Sequence, residues 1–160
     1  QVDDATHDAS RKNLVILHRE NTNSWGKRHW EAGFYKRIEK AFQQHFPNHY
    51  IIHHASSFAS DPSYCYLCAI DELSRADVLV GMHGAGLTNQ MFMPVGGLIV
   101  EMSQYFNDVH MPICGHYSTL APICGHHFYS YNWAWGPKES LDVQDLGSEV
   151  AKYYMYIHPI

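Results

Sequence analysis

Short apolar, β-branched runs alternate along the chain with longer stretches whose apolar residues recur every three to four positions. Residues 13–18 (Asn-Leu-Val-Ile-Leu-His) read as a buried strand. Over 30–46, Phe34, Ile38, Ala41 and Phe42 share one helical face, and Pro47-Asn48 stops that helix. Residues 49–53 predict a second strand, and 62–75 a second helix with Asp61 as N-cap and Pro62 in its first position. Residues 77–81 form a third strand, followed by a Gly-rich turn and a short helix through Phe92. A strand at 97–101, a helix at 117–124, a strand at 128–132 and a helix at 146–157 complete the pattern. That rhythm implies a parallel sheet covered by helices on both faces. The expected fold class is α/β: a doubly wound, mostly parallel Rossmann-like sheet. It occupies 13–160 as a single domain behind a tail at 1–12, with no internal linker.

Composition narrows what such a domain could do. At 160 residues, 46% hydrophobic and 14% aromatic, the chain can bury a core and is not a disordered segment. No apolar run reaches the length of a membrane span. Eleven basic residues against sixteen acidic ones, a net charge of -5, argue against a nucleic-acid surface. Thirteen histidines make the true charge depend on pH between about 5 and 7. The start Gln1-Val2-Asp3-Asp4 carries no initiator Met and no signal peptide. The length also suits half of a two-domain enzyme, so the chain is expected to be a fragment or a processed product.

Cys65, Cys68, Cys114 and Cys124 permit two disulfides of open connectivity. Cys65-Tyr-Leu-Cys68 has CxxC spacing, but no βα redox context is recognisable before it and 69–73 reads as helical. Two buried thiols, or one half of a disulfide, are expected there rather than a redox motif. Met111-Pro-Ile-Cys-Gly-His116 is nearly repeated by Ala121-Pro-Ile-Cys-Gly-His126. Cys114, His116, Cys124 and His126 are zinc-ligand types. A regular helix between the two clusters would hold them roughly 12 Å apart, too far for one ion. No metal is expected.

The most informative segment is Ala76-Asp-Val-Leu-Val-Gly-Met-His-Gly-Ala-Gly-Leu-Thr-Asn-Gln-Met-Phe-Met-Pro94. A buried strand runs into Gly81, Gly84 and Gly86, and a helix begins near Leu87. Glycines let the backbone turn and let a ligand approach it. The amides and dipole of a helix start favour a phosphate, and the carboxyl end of a strand in an open α/β sheet is where ligands bind. His83 would face that crevice, and Thr88 and Asn89 would add donors at the first turn. The spacing matches neither GxGxxG nor GxxxxGK[ST], which disfavours dinucleotide and phosphate-loop classes.

Gly81-Met-His-Gly-Ala-Gly-Leu-Thr-Asn89, with Phe92, Pro94 and Ile99-Val-Glu101, resembles the signature of the glycosyltransferase 61 family. That family includes the EGF-domain-specific and protein O-mannose N-acetylglucosaminyltransferases and plant xylosyl- and arabinosyltransferases. The similarity extends more weakly to Asn13-Leu-Val-Ile-Leu-His-Arg19 and to Tyr117-Ser-Thr-Leu-Ala121 with Gly125 and Tyr129. The resemblance implies an inverting GT-B enzyme whose two halves close over a UDP-sugar, this chain being the C-terminal, donor-binding half. It also implies a protein or glycan acceptor, and an acceptor-binding domain N-terminal to this chain. An endoplasmic-reticulum or Golgi location follows, with a membrane anchor upstream. UDP-GlcNAc and UDP-pentoses are the implied donors.

In that light, 84–88 would offer amides to the β-phosphate, where charge develops as UDP leaves. The expected nucleotide-sugar site is Arg19, His83, Gly84, Ala85, Gly86, Leu87, Thr88, Asn89 and Glu101, with Arg28 as a weaker member. Arg19 and Arg28 would give bidentate phosphate contacts. Glu101, read as the end of the fourth strand, would accept from ribose hydroxyls. The stretch 20–29 departs from the family's Arg-rich pattern, which weakens Arg28 in particular. No catalytic base is assigned and no cofactor is expected beyond the donor itself. Trp25, Trp30, Trp133 and Trp135 could stack on a base or sugar, though packing is the simpler role for each. The alternatives are a nucleotide-binding fragment without catalysis of its own, and a zinc-stabilised α/β domain.

Overall fold

The apolar runs are strands β1 (Lys12–His18), β2 (His49–Ala55), β3 (Ala76–Met82), β4 (Leu98–Gln104) and β5 (His127–Trp133). Between and after them lie α1 (Ala32–His45), α2 (Tyr66–Ser74), the 3-10 helix Ala85–Phe92, α3 (His116–Ile123) and α4 (Val143–Ile157). This computed structural model describes residues 12–18, 32–55, 65–104, 115–133 and 142–159. All five strands are parallel, in the order β2-β1-β3-β4-β5. No helix among the described residues is long and apolar enough to cross a membrane.

Strand residues alternate between two cores. Leu14, Ile16, Val78, Val80 and Val100 meet Phe34, Ile38 and Phe42 of α1 and Leu146 and Val150 of α4. Val15, Leu17, Leu79 and Ile99 meet Leu73 of α2, Leu87 of the 3-10 helix, and Tyr117 and Ala121 of α3. Burial on both faces explains why the strands are continuously apolar in sequence rather than alternating. Chain order leaves β1 toward β2 on one side and β3 toward β4 on the other. The connections therefore reverse between β1 and β3, and ligands of doubly wound sheets bind at the carboxyl ends of the strands flanking such a reversal.

Several boundaries differ from expectation. Helix α2 starts at Tyr66, with the Cys65 side chain as its N-cap; Asp61 and Pro62 lie outside the described residues. Cys65 and Cys68 are neither buried nor paired elsewhere: both are exposed and bonded to each other. They open a helix that follows a strand, a βα context hidden when the helix was read as starting at 62. Strand β4 continues to Gln104, so Glu101 sits mid-strand rather than at its end. Strand β2 likewise continues past His53 and His54. The segment after the Gly-rich turn is a 3-10 helix, not an α-helix.

Candidate functional site

Gly81, near the end of β3, stands in register with Leu17 of β1 and Glu101 of β4. A Cβ on Gly81 would lie 3.2 Å from Leu87 Cδ2 and 3.3 Å from Leu17 Cβ. The missing side chain lets the fully buried Leu87 seat against the sheet and dock the 3-10 helix. That is the requirement for glycine here. Gly84 has extended backbone, with φ 161° and ψ 168°, so the turn does not depend on a left-handed conformation.

His83 follows β3 by one residue, and its amide donates to Met102 O at 3.1 Å, extending the β3–β4 ladder. Two-residue alternation puts His83, Gly81 and Glu101 on the sheet face covered by the 3-10 helix and α3. There the His83 Nδ1–H donates to Glu101 Oε1. The Glu101 side chain is 6% exposed and that of His83 is 29% exposed. The His83 ring also meets the Tyr117 ring edge-on, with centroids 5.5 Å apart. A ring held by a carboxylate at Nδ1 and an aromatic at its side has one polar atom left for a ligand, Nε2. Glu101, expected to meet ribose, is buried, with its Oε1 engaged by His83. Its parity with His83 could have been read from the strands, but only once their register was known.

The 3-10 helix uses its own groups more fully than expected. Leu87 N donates to Gly84 O at 3.0 Å, and the Thr88 hydroxyl donates to Ala85 O at 2.6 Å. The Leu87 side chain is inaccessible and its amide is occupied, while Thr88 offers a ligand lone pairs rather than a free proton. The amides of Ala85 and Gly86 precede the first 3-10 hydrogen bond and lie outside the helix ladder. Asn89 is half-buried on the same helix.

An open groove of about 580 Å³ runs beside this site, lined by Thr88, Gly115, His116, Tyr117, Thr119 and Leu120. Gly115 is the N-cap of α3 and, lacking a side chain, supplies no side-chain cap to the helix start that borders the groove. Gly115 and Thr119 were not expected in the site. The signal that could have found them is the one used for β3: a glycine before a helix that follows a strand.

Arg19, Arg28, Trp25, Trp30 and Trp135 lie outside the described residues, and Trp133 closes β5. Among the described residues no three His, Cys, Asp or Glu groups are placed to hold a metal. His116 and Cys124 sit at opposite ends of α3, and Cys114 lies outside the described residues. His126 is buried, and its Nε2–H donates to Gln90 O at 3.0 Å. In comparison with known proteins, no family model matches the chain, and no curated protein matches it.

Proposed function

We propose that this chain is the donor-binding half of an inverting GT-B glycosyltransferase, which takes a UDP-sugar, with GlcNAc or a pentose as its sugar, and glycosylates a protein or glycan hydroxyl in the secretory pathway. One observation carries the reading. The residue string that resembles the glycosyltransferase 61 signature lies at the carboxyl edge of the sheet, beside the strand-order reversal, with its histidine oriented by a buried carboxylate.

The chemistry follows from the tautomer. With Nδ1–H donated to Glu101, His83 Nε2 can donate to a phosphate oxygen only as imidazolium. An anionic diphosphate therefore selects the protonated ring, and Glu101 supports that charge from behind. Glu101 is a positioning residue. As the glycosidic bond breaks, negative charge grows on the leaving β-phosphate, where His83, the amides of Ala85 and Gly86 and Arg19 would stabilise it. The groove between the 3-10 helix and α3 would receive the pyrophosphate or the sugar against the first amides of α3. No residue of this chain is assigned as the base that takes the acceptor's proton.

Calorimetric titration with UDP tests the reading. Micromolar binding is expected, abolished in His83→Ala and weakened in Glu101→Gln. Failure of UDP to bind the intact chain overturns the proposal. Turnover of UDP-GlcNAc or a UDP-pentose by a chain that includes the acceptor half then separates an enzyme from a nucleotide-binding fragment.

A further inference from the structure

The Cys65–Cys68 bond lies outside the nucleotide reading altogether. It closes a loop with a sequence separation of only three residues. A cross-link that short removes little freedom from the unfolded chain, so it is a poor structural staple. Helix α2 is held in place without it. Ala69 and Leu73 are buried in the core, and the Asn13 amide donates to Glu72 O at 2.8 Å. Both sulfurs are in exposed residues, and Tyr66 and Leu67 between them are exposed as well, so another molecule can reach the bond.

The two sulfurs are not equivalent. Cys65 is the N-cap of α2, and its Sγ accepts the Cys68 amide at 3.2 Å. On reduction that amide and the positive end of the helix dipole favour a thiolate on Cys65.

We propose that Cys65 and Cys68 form an exchangeable dithiol–disulfide couple, with Cys65 as nucleophile and a low-molecular-weight thiol or its disulfide as redox partner. In the oxidising direction the Cys65 thiolate attacks one sulfur of the small disulfide. That S–S bond breaks, one small thiolate leaves, and a mixed disulfide forms on Cys65. Cys68 loses its proton and attacks Cys65 Sγ, forming the Cys65–Cys68 bond and expelling the second small thiolate. Two electrons pass from the protein dithiol to the small disulfide, which ends as two thiols. Reduction of the protein runs the same steps backward.

Glutathione is the probe. The folded chain is equilibrated in buffers of varied reduced-to-oxidised glutathione ratio, quenched, alkylated and peptide-mapped. The couple should titrate reversibly while the circular dichroism of the fold is retained. After reduction, the alkylation rate of Cys65 should reach half its maximum about one pH unit or more below that of a cysteine in an unstructured peptide. Cys68→Ser treated with oxidised glutathione should hold its adduct on Cys65. A bond that opens only when the chain unfolds, or Cys65 alkylation with the pH dependence of an unstructured cysteine, overturns the proposal. The alkylation profile uses the native sequence, so it stands even if the variant misfolds.

Discussion

Gly81→Ala is the most direct perturbation of how the site is assembled. The added methyl would stand 3.2 Å from Leu87 Cδ2 and 3.3 Å from Leu17 Cβ, closer than ordinary van der Waals contact on two sides. Both neighbours are buried leucines within one core, and Leu17 also belongs to β1, an interior strand, so neither can simply move into solvent. Overpacking of this kind costs about 1–3 kcal/mol, and replacing glycine inside a strand returns about 0.5–1 kcal/mol. A net loss of about 1–2 kcal/mol is expected, or roughly 2–8 °C in Tm for a domain of this size. Urea unfolding should show a lower midpoint with an unchanged m-value. The cause can be isolated with Leu87→Ala, which alone should cost about 2–5 kcal/mol. In the double variant the new methyl gains the space that Leu87 vacated, so the two costs should fall short of additive by about 1 kcal/mol. A neutral or stabilising Gly81→Ala, or strict additivity in the cycle, would refute the claim that Gly81 exists to seat Leu87.

Other expectations follow from particular contacts. Tyr154→Phe removes the hydroxyl that donates to Asp77 Oδ2 at 2.5 Å and should cost about 1–3 kcal/mol in urea unfolding. Asp142→Ala removes the cap that accepts from the amides of Gln144 and Asp145, each at 3.0 Å; a loss of about 1 kcal/mol is expected from the same assay. Burial, then hydrogen bonding to Asp145 and the surrounding carboxylates push the Tyr131 phenol up to about 12 from 10.0. Burial with Glu149 and burial with Asp77 raise Tyr129 and Tyr154 further. The unfolded chain therefore loses these protons first, and stability should be whole below pH 10 and fall between pH 10 and 12. Urea midpoints followed alongside tyrosinate absorbance would check this; a stability flat across that window contradicts it.

The sheet was legible because a strand buried on both faces writes a local signal, as Leu14 to Leu17 and Val78 to Val80 do. The Gly81–Asn89 string was legible for the same reason: its turn, helix start and histidine lie within one short segment. What escaped was set by partners distant in sequence. Glu101 looked like a strand end because Ser103 and Gln104 are polar, and its role appears only when β4 is laid beside β3 in register. The Asp61-Pro62 pair reads as a helix start in sequence, which draws attention away from Cys65, the N-cap of α2. The 3-10 segment 85–92 packs on the sheet through buried Leu87, a tertiary contact that no local propensity reports. The α3 half of the groove went unread because its glycine was weighed as part of a Cys/His repeat.

The abundance of histidine takes on a meaning from where the strands place it. His49 opens β2, His127 opens β5 with His126 just before it, and Asp77 lies one residue inside β3, so all four belong to the amino edge of the sheet. His49 Nε2–H donates to Asp77 at 2.9 Å, Tyr154 of α4 donates to the same carboxylate, and the His158 ring lies against Tyr154 with centroids 4.7 Å apart. At this edge the contacts of His49 and Tyr154 with Asp77 bind the end of α4 to the sheet. The carboxyl edge is built the opposite way. There buried Glu101 holds His83, Gly115 gives α3 no side-chain cap of its own, and a groove opens beside both. Under the proposed function the diphosphate is received at this second edge, where His83 Nε2 is left for it. The same asymmetry explains why Tyr154→Phe should act on stability while Glu101→Gln should act on binding.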